Sequence, residues 1–344
     1  MTEWRWIDIF ARHFRACALD DGEIVAVLSE SGSREELVAT SRIAALMLGG
    51  RVYDVIVPTP LSSGPVALRS TGASVALAGN PGVIAALAAA DLVIDCTVEG
   101  LLHAPELREI LAGGARVLMV SNEHPENFER YADDFSLADR VAHGVELLEE
   151  AGEMHVTSAA GTDLTAKLDG AFRAGSSGIA TERGTIAHWP GGLCLAFPAA
   201  HCVEGVVVLA PGDINLTFKT YVREPVTLRV VDDHIVAIEG DGLDADLFRS
   251  YLAAVGDRES YAVSHVGFGM NRAARWDYLE LYDKAQINGT EARAFAGNFL
   301  FSTGANENAG RFTAGHFDLP MRGCTVALDG QVVVDAGVLQ GDLA

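Results

Sequence analysis

The sequence predicts an α/β N-terminal domain built on a parallel sheet, followed by a mostly β (α+β) C-terminal domain. Three observations predict it. Up to about residue 155, buried-strand runs alternate with helical segments; beyond it, strands and hairpins follow one another with a single helix among them; and Asp329-Gly330 marks a tight turn between two Val-containing runs. The boundary is therefore placed between 1–155 and 156–344.

In the first part, Glu23–Leu28 reads as a buried strand, Arg34–Leu48 as a helix stopped by Gly49-Gly50, and Arg51–Pro58 as the next strand. Gly82–Ala90 is the longest apolar run. Asp91 ends it far short of a membrane span, so it is expected as a buried helix. Ala90–Cys96 and Ala115–Ser121 continue the sheet, with a helix near Pro105–Leu111 between them and another at Ser136–Gly152. Neither G-x-G-x-x-G nor G-K-[ST] occurs in the glycine-rich turns, which gives nucleotide binding no support. In the second part, Met154–Ser158, Gly205–Leu209, Val226–Val231 turning at Asp232-Asp233 into Ile235–Ile238, and Cys324–Val334 read as strands and hairpins. Asp244–Ala254 is the one helix.

A formal net charge of −22 opposes binding to nucleic acid or an anionic membrane surface and suits a small neutral substrate. The five cysteines, Cys17, Cys96, Cys194, Cys202 and Cys324, form no C-x-x-C pair, and their odd number is awkward for a disulfide framework. Reduced thiols and a cytoplasmic location follow as expectations. Met1–Trp6 lacks the basic and apolar regions of a signal peptide.

The chemistry centres on histidine. His316 and Asp318 stand at i and i+2, which in extended chain share a face, and His265 in Ser264-His-Val-Gly-Phe-Gly could close a third corner. Two imidazoles and a carboxylate are the donor set of non-haem Fe(II) oxygenases. Spacing alone leaves open that these are ordinary core or surface residues.

Segments Ser264–Gly269, Ala294–Asn306 and His316–Cys324 resemble those of bacterial 2,5-dihydroxypyridine 5,6-dioxygenases, ring-opening enzymes of nicotinate catabolism. Gly100-Leu-Leu-His103 and His188-Trp-Pro-Gly-Gly192 agree. That family shares its fold with the M29 metallo-aminopeptidases, and Gly161–Thr165 resembles a motif of the wider superfamily. In the peptidases, the segments similar to Pro190–Leu195 and Gly297–Leu300 carry a metal-binding Glu and His; here Leu193 and Leu300 stand there. Losing both should abolish a second metal, leaving one ion on His265, His316 and Asp318.

The resemblance implies a cofactor, Fe(II), and small partners, an aromatic N-heterocycle and O2. It also implies cleavage between C5 and C6 to N-formylmaleamate with both oxygen atoms retained, and a homo-oligomer. It makes His188 a pocket acid/base group; without it, a loop His before Trp-Pro is solvated. His103 lies between a strand end and a helix start, where α/β folds place ligand-binding loops, and is the second acid/base candidate. Glu182 either positions a ring N–H or faces water, while Ser302 and Thr303 either hydrogen-bond the substrate or pack within a strand. His13, His124, His143, His155, His201 and His234 match no motif. The alternative functions are an M29-like aminopeptidase or hydrolase, which would bind two ions, and a binding protein that leaves the triad unused.

Overall fold

The computed structural model describes residues 2–61, 74–131, 134 and 136–344. The chain opens with a helix that the strand–helix reading does not anticipate, α1 (Trp4–Ala16). Trp6, Ile9, Phe10, His13 and Phe14 recur at helical spacing and form its buried side. There follow β1 (Ile24–Glu30), α2 (Glu35–Met47), β2 (Arg51–Val57), α3 (Pro81–Ala88), β3 (Leu92–Asp95), α4 (Leu107–Ala112), β4 (Arg116–Met119) and α5 (Ser136–Glu150).

Both faces of the resulting parallel sheet are covered. Phe10, Phe14 and Leu37 pack on Val25, Val27, Leu92 and Ile94, while Leu87 and Ile110 pack on Ala26, Leu28, Val93 and Val117. Of α3, expected to be wholly buried, only Ile84 and Leu87 are; Gly82 and Ala85 face outward, and their small side chains leave little apolar area in water.

The second part supplies β5 (Glu153–Ser158), β6 (Asp163–Lys167), β7 (Phe172–Ser176), β8 (Ile186–His188), β9 (Leu193–Phe197), β10 (Val203–Leu209), β11 (Ile214–Asn215), β12 (Thr220–Tyr221), β13 (Val226–Val231) and β14 (His234–Glu239). After α6 (Leu243–Val255) come β15 (Val263–Gly269), α7 (Thr290–Ala294), β16 (Phe299–Asn306), β17 (Arg311–Met321), β18 (Cys324–Leu328), β19 (Gln331–Asp335) and β20 (Val338–Leu339). An eight-stranded sheet, ordered β14-β13-β10-β6-β5-β18-β19-β20, faces a five-stranded one, β17-β16-β15-β9-β7. Between them lies the largest core, where Val156, Leu164, Val207 and Leu228 meet Phe268, Phe299, Phe301 and Phe317. Asp329 (φ 47°) and Gly330 (φ 85°) are both left-handed, as the tight hairpin turn requires.

Two elements cross the expected division at residue 155. α5 packs on β7 and β9 of the five-stranded sheet, and β8 hydrogen-bonds in parallel to β4, extending the N-terminal sheet to β2-β1-β3-β4-β8. The crossing puts the C-terminal ends of β3 and β8 over one face of the five-stranded sheet.

Candidate active site

Alternation along the five-stranded sheet separates packing from chemistry. Val266, Phe268, Phe299, Phe301, Phe317 and Leu319 point into the core. The intervening residues, His265 on β15, Ser302 on β16 and His316 and Asp318 on β17, take the opposite face. Ser302 and Asp318 are directly paired across strands. β15 reaches this row through a bulge: three steps from Val263 to Val266 match two from Thr303 to Phe301, and the extra residue re-aims His265.

Asp318 is the hub. His265 Nε2 lies 3.4 Å from its Oδ1 and His316 Nε2 3.2 Å from its Oδ2. Ser302 Oγ donates to Oδ1, and Arg293 Nε donates to Oδ2 at 2.5 Å. Burial alone would raise this carboxyl; the charge of Arg293 and then that of His316 outweigh it and hold it well below the usual carboxylate range. Tyr251 and Thr217 fix the strand itself. The His316 N–H donates to Tyr251 Oη at 3.1 Å, and its carbonyl accepts from Thr217 Oγ1 at 2.8 Å.

Among the described residues, no group of three or more His, Cys, Asp or Glu side chains is drawn together closely enough to cage a metal ion as it stands. The imidazoles both reach Asp318, but their centroids are 5.9 Å apart. The donor set nevertheless fits an ion. Donors about 2.1 Å from a metal and at right angles lie about 3 Å apart, close to both imidazole–carboxylate distances. The tautomer of His265 points the same way. Ser264 Oγ spends its hydrogen on the Ala305 carbonyl at 2.5 Å, so in its 3.1 Å contact with His265 it must accept from Nδ1–H. The Nε2 lone pair of neutral His265 then faces a carboxylate, an arrangement that a cation between them would relieve.

Two further histidines come from the N-terminal sheet. The His103 ring is 5.8 Å from that of His316. Burial, then His316 and His265, lower its pKa to about 3. Its loop is held by buried Asp95, which accepts from Thr97 N at 2.9 Å, Thr97 Oγ1 at 2.6 Å and Leu101 N at 2.9 Å. His188 ends β8. Ser176 Oγ accepts from its backbone N–H at 2.9 Å and contacts its Nδ1 at 3.2 Å. Burial and Arg293 lower its pKa to about 4, with Asp318 opposing.

Of the three expected substrate groups, Glu182 and Thr303 lie off the site face. Glu182 is exposed, beyond the N-terminal end of β8, where neighbouring Arg183 pairs with Asp91 at 3.2 Å. This is the edge of the sheet away from His188. Thr303 pairs with Phe317 and so faces the core side. Ser302 is on the site face, but its hydroxyl is bonded to Asp318. Leu193 and Leu300 pack in one apolar cluster with Leu195 and Ala294.

The sequence model of the 2,5-dihydroxypyridine 5,6-dioxygenase family matches residues 5–341. The chain belongs to this family. A curated 2,5-dihydroxypyridine 5,6-dioxygenase from Pseudomonas putida is 38% identical over 334 residues, 96% of this chain and 94% of the relative. The solved 2,5-dihydroxypyridine dioxygenase of Pseudomonas putida KT2440 superposes with a TM-score of 0.92 at 36% identity, covering 100% of this chain and 99% of that one. Wild-type AmpT from Thermus thermophilus superposes at 0.61 over 98% of this chain and 99% of its own; at 13% identity the likeness speaks to fold alone. The architecture is the M29 aminopeptidase-like one that the resemblance implies.

Within this dioxygenase fold, sequence reasoning misses Arg293, Ser264 and Ser176. Arg293 and Ser176 sit in no recognised motif, Ser264 lies in a segment that carries the resemblance but without an assigned role, and each acquires its partner only through sheet pairing or a distant loop.

Proposed function

We propose that this chain opens the ring of 2,5-dihydroxypyridine, or a close hydroxypyridine, between C5 and C6 to give N-formylmaleamate, using O2 and Fe(II) held by His265, His316 and Asp318. The observation that carries this reading is the meeting of two imidazoles and one buried carboxylate on a single sheet face. An M29-like hydrolase needs ligands for a second ion. The leucines at 193 and 300 are buried in hydrocarbon and offer it no lone pair.

Bound in that set, Fe(II) would leave positions open for an aromatic hydroxyl oxygen and O2 and would pass electron density between them. The protein's own part is positional. Burial lowers the pKa of His103 and His188 and keeps both neutral near pH 7, so each has a ring nitrogen able to accept the hydroxyl hydrogen; the same burial weakens each as a base, and holding that proton calls for the negative charge of the deprotonated substrate beside it. Because the His103 ring is the one beside His316, it is at least as well placed as His188. Leu195 and the Leu193–Leu300 cluster exclude water on one flank of the row.

The proposal extends to a cytoplasmic homo-oligomer. All five cysteines are free, and no helix among the described residues is long and apolar enough to cross a membrane. Oxygen-electrode assay of anaerobically iron-loaded protein with 2,5-dihydroxypyridine tests the reaction. One O2 should disappear per substrate, and labelled O2 should place both atoms in the product. Incorporation of a single atom, or turnover without oxygen, would refute it.

A further inference from the structure

Two buried acids, Glu123 and Glu291, take no part in the chemistry above, yet both are fully enclosed. Glu123 follows β4. Its Oε1 accepts the backbone N–H groups of Gly289 at 3.0 Å and Thr290 at 3.1 Å, and its Oε2 accepts from Asn127 Nδ2 at 3.2 Å. Glu291 accepts from Arg130 Nη2 at 2.6 Å and from the Arg275 N–H at 2.7 Å. Glu123, Asn127 and Arg130 come from the N-terminal part of the chain. Asn127 braces Glu123, and the partners of Glu123 and Arg130, namely Gly289, Thr290 and Glu291, lie in or next to α7, the single helical turn that carries Arg293. The turn is also closed from behind: Gly289 has φ +119°, and a Cβ there would meet Arg293 Nη1 at 3.1 Å and Leu216 Cδ2 at 3.2 Å. Leu216 N–H in turn donates to the Asp318 carbonyl at 3.1 Å.

We propose that Arg293 is a positioning residue: clamped from the N-terminal part of the chain through Glu123 and Glu291, it fixes the Asp318 carboxylate where His265 and His316 share it, and so sets the affinity of the site for a divalent ion. The inference rests on reading the three side chains as a metal set. Its physical basis is the geometry at Asp318. Ser302 takes one lone pair of Oδ1 and Arg293 one of Oδ2, which stops rotation of the carboxylate and leaves one lone pair on each oxygen for the site. Partners of this kind, bonded to a ligand rather than to the metal, typically change metal affinity by about 10–100-fold when removed. A merely structural ion pair would alter melting and leave ion affinity unchanged.

The test uses the full chain stripped of metal, with Co(II) as the probe, followed by its absorption bands and by chelator competition. Arg293→Met should bind Co(II) roughly 10–100-fold more weakly than wild type, with altered bands. Arg293→Lys, which keeps charge but not the Nε–H geometry, should fall between the two. Wild-type affinity and spectrum in Arg293→Met would overturn the proposal. If Arg293→Met does not fold, Arg293→Lys decides: weaker binding supports the assignment and wild-type binding overturns it. The wild-type titration separates the two readings, because a wild-type chain that binds no Co(II) or Fe(II) would refute the metal set itself, before any variant is compared.

Discussion

Ser264 illustrates how little of a site is visible at the level of single residues in a sequence. His265, His316 and Asp318 are legible because a resemblance points to them, and their contacts bear out that they are neighbours. What orients them is not legible. Ser264 fixes the His265 tautomer only because β16 brings the Ala305 carbonyl within reach, and Arg293 is one arginine among many until α7 is folded. The leucines make a sharper statement. An apolar side chain holds no ion, so iron-loaded protein should contain one metal per chain by elemental analysis, and His316→Ala or Asp318→Ala should empty the site. Two ions per chain, or leucyl-peptide cleavage comparable with ring opening, would favour the hydrolase. Proton transfer gives a second prediction. His188→Ala and His103→Ala should each retain iron while turnover falls by about a hundredfold or more. Loss of iron along with activity would make the residue structural instead, and comparison of the two variants ranks the candidates.

At the scale of elements, β17 is the informative case. Its odd and even positions do different work: Phe317 and Leu319 enter the main core, while His316 and Asp318 take the other face. Phe317 stacks on Phe248 with centroids 4.4 Å apart and meets Tyr251 edge-on at 4.7 Å; Tyr251 also accepts from the His316 N–H. Packing and site geometry therefore share one support. Phe317→Ala should cost about 3–5 kcal/mol of unfolding free energy. Denaturant titration should show this as a lower midpoint, with ion affinity reduced even where the variant remains folded. A variant of wild-type stability would mean the core has collapsed around the gap. Apart from α1, the N-terminal strands and helices were readable because periodicity and glycine stops agree there. The five-stranded sheet was not: β7 and β15 are interrupted by glycine and serine, and their partners are distant in sequence, so neither alternation nor spacing announces the pairing. Turn chemistry, by contrast, is local, and the Asp329-Gly330 hairpin was legible for that reason.

Across the whole molecule, the site exists because two layers from different parts of the chain are held face to face, and α1 helps to hold them. His13, to which no motif assigns a role, projects from α1 onto Trp189, the residue after His188. The two rings stack at 3.8 Å with an interplanar angle of 5°, and His13 Nε2 contacts the Gly178 carbonyl at 2.7 Å. A carbonyl only accepts, so Nε2 carries the hydrogen, and Nδ1 stays unprotonated in the buried ring. Burial lowers the His13 pKa from its ordinary 6.5 to about 4, with the bond to Gly178 opposing. The sign of the consequence follows from proton counting. Between these two values the unfolded chain binds the proton and the folded chain does not, so folding stability rises with pH across the window. The contribution is complete above about 6.5, declines as pH falls toward 4 and amounts to at most about 3 kcal/mol. His13→Gln offers Gly178 an amide donor but has no such titration. Its stability should therefore change less between pH 7 and pH 5 than that of wild type, measured as the shift in denaturation midpoint. Equal shifts in the two proteins would show that His13 is already neutralised in the unfolded chain or protonated in the folded one, and that acid sensitivity of the α1–Trp189 contact arises elsewhere.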